Sequence, residues 1–217
     1  MKDARDSKAC ELIVVRHGET IWNAEGRQQG HLDSALTPAG LRQAEAIAET
    51  LSKEKFGALY TSDLGRAFST AEVIAAKCNH KITTDERLRE RNLGIFQTLT
   101  MAEVEERYPE EYKAFASGNP DYEIPSGESA RQRYDRAVAC ADDIAKRHVG
   151  QRVVVVTHGG ILDSYFRRAL HIALTEPRRF KLFNASINTF FVAGAEWSLG
   201  TWGDVRHLVG VGTQDDR

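Results

Sequence analysis

Two short segments of the chain place a histidine beside residues suited to holding an anion. Arg16-His17-Gly18 closes the run LIVVRHGET at 12–20, and Thr157-His158-Gly159-Gly160 closes VVVVTHGG at 153–160. A third segment, Thr61-Ser62-Asp63, is followed closely by Arg66. Imidazole is a nucleophile or general base near neutral pH. Guanidinium groups grip phosphate oxygens in a fork. Arg66 carries a positional signal as well. A cation in the first turn of a helix opposes the helix dipole at about 0.3–1 kcal/mol, and the placement becomes favourable when an anion sits between it and the helix N-terminus. Together these residues offer a pocket for a dianionic phosphate with a histidine at its centre.

Each feature alone would mean little. A lone histidine is usually a surface or satisfied core residue, which is the reading given to His31, His80, His148, His171 and His207. An isolated Arg66 would be a solvated helix residue. The elements that carry these residues make the case. Residues 11–15 read as a short buried strand ending at Arg16. Thr37-Pro38 supplies an N-cap and a first-turn proline, followed by Leu41, Ala44, Ile47, Ala48 and Leu51 at helical spacing. A second strand, Ala58-Leu59-Tyr60, leads to a helix bearing Leu64, Ala67, Phe68, Ala71, Ile74 and Ala75. A long helix marked by Tyr134, Ala137, Val138, Ala141 and Ile144 precedes the strand Val153–Val156, and another helix follows His158. Residues 187–192 and 197–202 read as strands. Apolar strands alternating with helices predict an α/β fold, with a mostly parallel sheet covered on both faces. In such a sheet the carboxyl ends of the strands share one edge, where ligands bind. Residues 85–125 depart from the alternation. They are polar, carry Pro109, Pro120 and Pro125, and predict a lid-like insertion containing a helix over 101–115 broken at Pro109.

The 217 residues, with a formal charge of −2 and 28% charged residues, describe one ordinary globular domain with no basic stripe for nucleic acid. No apolar run approaches a membrane span, and MKDARDSKAC has no signal-peptide core. A cytoplasmic protein is expected, with flexible ends at 1–9 and 211–217. Cys10, Cys78 and Cys140 are widely spaced and read as free thiols. Cys10 and Arg16 fit the C-x5-R spacing of cysteine phosphatases, but the intervening Glu-Leu-Ile-Val-Val is a strand. An extended path holds the two ends about 20 Å apart, so the match is accidental. HExxH, GxSxG, GxGxxG and a Walker loop are all missing. Adjacent arginines would repel a divalent cation between His17 and His158, so no metal and no cofactor is expected.

The segments 15–44 (VRHGETIWNAEGRQQGHLDSALTPAGLRQA), 59–75 (LYTSDLGRAFSTAEVIA), 88–97 (LRERNLGIFQ), 125–129 (PSGES) and 155–162 (VVTHGGIL) resemble the histidine phosphatase superfamily, in its phosphoglycerate mutase-like branch. The resemblance spans nearly the whole chain. It implies that His17 is the nucleophile, becoming phosphohistidine, and that Arg16, Arg66 and His158 hold the phosphoryl oxygens. It further implies that Asn23 adds a hydrogen bond, that Glu90 donates the leaving-group proton, and that Gln29, Gly30 and Gly159 line the pocket. Arg91 resembles the arginine with which mutases of the family meet a substrate carboxylate. Ile95-Phe96-Gln97-Thr98 and Ser69 depart from the family's usual residues, which leaves substrate choice open. The expected function is a metal-independent phosphatase acting on a small phosphorylated metabolite. The alternatives are a cofactor-dependent phosphoglycerate mutase and a phospholigand-binding module without turnover. Mutases carry extra cationic loops, whereas SGNPDYEIPSGES at 117–129 has no lysine or arginine. Assembly into a homo-oligomer is left open.

Overall fold

The computed structural model describes residues 8–212. Of the expected flexible ends, 1–9 and 211–217, residues 1–7 and 213–217 lie outside those described. Six strands form one sheet in the order β3-β2-β4-β1-β5-β6. The first four are parallel: β1 (Cys10–Arg16), β2 (Ala58–Thr61), β3 (Ile82–Thr84) and β4 (Arg152–Thr157). The last two, β5 (Ile187–Ala193) and β6 (Glu196–Asp204), join them antiparallel. The helices are α1 (Ile21–Glu25), α2 (Pro38–Leu51), α3 (Gly65–Cys78), α4 (Met101–Arg107), α5 (Pro109–Ala116), α6 (Ala130–Arg147) and α7 (Gly159–Leu170).

Alternate side chains of each central strand serve two cores. Leu12, Val14, Val153 and Val155 pack under α6 and α7. Ile13, Val15, Val154 and Val156 pack under α2 and α3. Burial on both faces is why β1 and β4 are continuous apolar runs rather than alternating ones. β1 leads to helices on one face and β4 to α7 on the other, so a crevice opens between their carboxyl ends. Their register is parallel, with Arg16 opposite Thr157.

β1 and α2 approach closely beyond that edge. A Cβ on Gly18 would lie 2.5 Å from Gly40 O, and one on Gly40 would collide with Glu19 O. Neither position has room for a side chain.

The segment 85–125 builds its own small core from Phe96, Leu99, Val104 and Ile124. Its expected helix is broken where proline requires, α4 ending at Arg107 and α5 beginning at Pro109. Leu93, Met101 and Phe115 from this segment form one wall of a cleft over the sheet edge. Two elements escaped the sequence reading. Helix α1 has five residues and no buried side chain, and it exists through a capping box between Thr20 and Asn23. Strand β3 is a three-residue, largely exposed edge. Neither offers apolar periodicity to detect.

Candidate active site

The two strand ends bring their histidines together. His17 and His158 stand with ring centroids 5.2 Å apart, edge to face, and both are buried. Backbone bonds continue the sheet around them: His17 N donates to Thr157 O at 3.0 Å, and Ala185 N donates to His17 O at 3.2 Å. His17 Nδ1 lies 2.7 Å from Gly18 O. A carbonyl only accepts, so Nδ1 carries the proton and Nε2 keeps its lone pair. Burial, and after it the charges of Arg66 and Arg16, hold the His17 pKa well below the usual histidine value. The same causes hold His158 low. Both ring nitrogens of His158 are buried without a hydrogen-bond partner among the described residues. Leaving a buried polar group unsatisfied costs about 1–3 kcal/mol. Such an arrangement marks a place where a ligand supplies the missing bonds.

Arg16 and Arg66 are also buried and line the cleft with His17. Arg16 is anchored through Nη1, which donates to Leu182 O. Arg66 is fixed more completely: Nη2 donates to Gly30 O at 2.8 Å, and Nη1 donates to Leu32 O at 2.9 Å and Asp33 Oδ1 at 2.6 Å. Here the structure corrects one expectation. The anion at the N-terminus of α3 is built into the chain, because Asp33 accepts from Gly65 N at 2.7 Å and Arg66 N at 3.3 Å. The carboxylate offsets the dipole that Arg66 opposes, so the helix end is no sign of a bound phosphate. Gly30 earns its place through its backbone, at φ +57°, where a non-glycine residue would be strained.

Glu90 lines the same cleft as His17. Its Oε1 accepts from Arg91 N at 2.7 Å and its Oε2 from Gly160 N at 2.8 Å, at the start of α7. A Cβ on Gly160 would collide with Glu90 Oε1, which explains the second glycine of THGG; Gly159 is buried in the same turn. The turn bearing Glu90 is clasped by Arg136 of α6. This guanidinium donates to the carbonyls of Arg87, Arg89 and Glu90 at 2.6–2.9 Å and pairs with Glu128 at 2.5 Å. His31 Nε2 also lies 2.8 Å from Glu90 O, so this histidine is satisfied, as expected of it, and supports the same turn.

Asn23 and Gln29 line the cleft, whose volume is ≈ 1010 Å³. Asn23 Oδ1 accepts from Thr20 N and from Asn184 Nδ2, both at 3.2 Å, which leaves its own amide N–H groups as donors for a ligand. The sequence reading missed Asn184, Asp33, Arg136 and Glu128. Each acts across a long sequence separation, and although Asp33 and Glu128 fall inside the segments 15–44 and 125–129, no local pattern shows which residues they hold. Arg91 is neither solvated nor open. Its Nε and Nη2 donate to Glu128 O (2.9 Å) and Tyr122 O (3.0 Å), and its guanidinium lies over the Phe115 ring. The thiol of Cys10 lies in β1, and burial pushes its pKa up to about 12, so the C-x5-R spacing has no chemical content here.

A family model described as the histidine phosphatase superfamily (branch 1) matches residues 12–205. The chain belongs to the histidine phosphatase superfamily. It is 48% identical over 210 residues to phosphoglycerate mutase-like protein 4 of Arabidopsis thaliana, covering 95% of this chain and 90% of that protein. It is 45% identical to a metal-independent phosphoserine phosphatase of the same plant, over 95% of this chain and 87% of the relative. A phosphoserine phosphatase mutant from Entamoeba histolytica, solved in complex with phosphoserine, superposes with a TM-score of 0.82 at 30% identity, covering 92% of this chain and 99% of that one. The α/β sheet described above is the one that the resemblance implies.

The buried histidines predict how stability depends on pH. Folding holds His17 and His158 neutral, whereas the unfolded chain protonates them below about pH 6.5. The unfolded state then binds more protons, so stability falls as pH drops from that point towards the lowered native values, by about 1.4 kcal/mol per pH unit for each imidazole. Denaturant unfolding at pH 7.0, 6.0 and 5.0 should show this decline, with a shallower slope in His17→Asn. A stability that stays level or rises towards pH 5.0 would contradict neutral buried imidazoles.

Proposed function

We propose that the chain is a metal-independent phosphatase that hydrolyses a small phosphomonoester through a phosphohistidine on His17. The observation that carries this reading is the fixed tautomer. His17 Nδ1 is committed to Gly18 O, so Nε2 is the free nucleophilic lone pair in a cleft lined by Arg16 and Arg66.

The steps follow from the geometry. The phosphoryl oxygens accept from Arg16 and Arg66, from the one N–H of neutral His158, which has no partner among the described residues, and from the amide of Asn23. Nε2 attacks phosphorus as the ester P–O bond breaks, and Glu90 gives its proton to the departing oxygen. Fixed guanidinium groups around the equatorial oxygens supply most of the rate enhancement. Glu90, now a carboxylate, takes a proton from a water whose oxygen attacks phosphorus. The P–N bond breaks, inorganic phosphate leaves, and both His17 and Glu90 return to their starting states. No step needs a metal. Among the described residues no group of three or more His, Cys, Asp or Glu is placed to hold one, and the guanidinium-lined wall would repel a cation. The similarity to a metal-independent phosphoserine phosphatase supports the same reading.

A mutase would share the first step and differ in keeping the phosphoryl group. The segment 117–129 contributes no lysine or arginine to retain it, which favours release to water. Adding 2,3-bisphosphoglycerate with 3-phosphoglycerate should yield inorganic phosphate rather than an isomer.

Rapid quench with a ³²P-labelled phosphomonoester should give an acid-labile, base-stable protein phosphate that vanishes in His17→Ala. Label persisting in that variant would remove His17 from the mechanism. Exhaustive chelation should leave turnover intact, and a loss reversed only by a divalent ion would restore a metal-dependent reaction.

Glu90→Gln should slow alkyl phosphates by about 10²–10⁴-fold. Aryl phosphates, whose leaving groups need less protonation, should lose much less. Equal losses on the two classes would make Glu90 a positioning residue instead of the proton donor.

A further inference from the structure

Among the described residues, five other than glycine take a positive φ: Asn79, Thr98, Ser126, His171 and Ala185. The first four are exposed, and two of them, Asn79 and His171, cap helices. Ala185 differs. It is fully buried, at φ +58°, in the turn that precedes β5. A residue with a Cβ is strained in the left-handed region, and such strain persists only where the surrounding contacts impose it.

Those contacts run to the proposed site. Ala185 N donates to His17 O at 3.2 Å, and Asn184 Nδ2 donates to the same oxygen at 3.3 Å. Arg16 N donates to Ser186 O at 3.2 Å, and Arg16 Nη1 donates to Leu182 O. Asn184 Nδ2 also donates to Asn23 Oδ1 at 3.2 Å. One short segment, 182–186, thus holds the carbonyl of His17, the backbone and the guanidinium of Arg16, and the amide of Asn23. Ala185 stands inside it, where a change of φ would redirect the groups on either side.

Two features keep Ala185 in this conformation. Its methyl is buried in the core that contains Ile13, Val15 and Leu208, which denies the segment the wider backbone freedom of a glycine. From the other side, His207 Nε2 lies 2.9 Å from Ala185 O. A carbonyl only accepts, so Nε2 carries the proton and donates it. His207 belongs to a single 3₁₀ turn, Arg206–Leu208, seated by the buried Leu208 and by Arg206 N, which donates to Asp204 Oδ1 at 3.0 Å. The sequence reads His207 as a surface or satisfied residue. The structure adds that its acceptor is the strained residue whose own N–H bonds His17.

We propose that His207 and Ala185 are positioning residues: the His207 imidazole locks Ala185 in its left-handed conformation, and the locked segment 182–186 holds His17 and Arg16 in line for phosphoryl transfer. The inference deepens the phosphatase reading above and rests on it for its kinetic part.

The test uses the full chain, with 4-nitrophenyl phosphate as substrate and ¹⁵N in the histidine rings. His207→Leu removes the donor to Ala185 O. It should lower kcat by about 10–100-fold with KM little altered, because a displacement of about 1 Å at a reacting group has effects of that size. His207→Gln keeps an N–H donor and should recover most of the loss. Ala185→Gly removes no hydrogen-bonding group but frees the backbone, and it should also lower kcat rather than raise KM. Long-range ¹H–¹⁵N spectra of the wild type should show His17 as the Nδ1-protonated tautomer, its signals identified by their loss in His17→Asn. In His207→Leu and in Ala185→Gly these signals should move towards the average of the two tautomers.

Wild-type kcat in Ala185→Gly would overturn the proposal, and this variant decides the matter if His207→Leu does not fold. Equal losses in His207→Leu and His207→Gln would overturn it too, since the lost hydrogen bond would then not be the cause. So would a fall in kcat with the His17 signals unmoved. Absence of turnover in the wild type would overturn the phosphatase reading instead, and the spectra alone would then decide whether the segment holds His17.

Discussion

The in-register parallel pairing of β1 with β4 governs the site. Arg16 lies opposite Thr157, and the pairing runs one bond further, from His17 N to Thr157 O. A slip of one residue would turn every side chain of β1 to the other face of the sheet. It would move Leu12 and Val14 out of one core and Ile13 and Val15 out of the other, and it would separate the two imidazoles. The cores therefore fix the register, and the register fixes the chemistry. Close-packed interiors tolerate little displacement, so the His17 to His158 spacing is held by the same apolar contacts that stabilise the fold.

Around this edge the protein surrounds cations with backbone oxygens and a few carboxylates. Arg66 is held by two carbonyls and Asp33, and Arg136 by three carbonyls and Glu128. Carbonyl anchors orient a guanidinium without neutralising it. Arg66 thus keeps a positive charge in a buried pocket, where its field on a phosphoryl group is strong. Burial pulls its pKa down and Asp33 pushes it back up. The proposed nucleophile stays neutral because burial disfavours a proton on His17, an effect that the neighbouring cations Arg66 and Arg16 reinforce.

Much of this was legible in the sequence, and the limits of legibility have physical causes. The strand ends carrying Arg16, His17 and His158 could be read because doubly buried strands are continuous apolar runs, and a parallel sheet puts their ends together. The helix break at Pro109 followed from the proline ring. The role of Asp33 could not be read, because the acid that caps α3 lies 32 residues before Gly65. Arg133 presents a related difficulty. Asp163 and Arg167 form a recognisable helical pair four residues apart, but only the packing of α6 on α7 brings Arg133 to them. Arg91 shows the opposite hazard: a residue at a suggestive position whose donors are occupied by loops that sequence alone does not bring near.

The position of β1 has a consequence for how the chain is made. Its neighbours on either side are β4 and β5, which begin at Arg152 and Ile187. On a ribosome the segment Leu12-Ile13-Val14-Val15 emerges before its partners and waits for strands more than a hundred residues downstream. Such non-local pairing slows folding and leaves apolar strand edges open to other chains. The segment that positions His17 is thus also the one whose nascent form most needs protection, and chaperone demand during synthesis should centre on these residues.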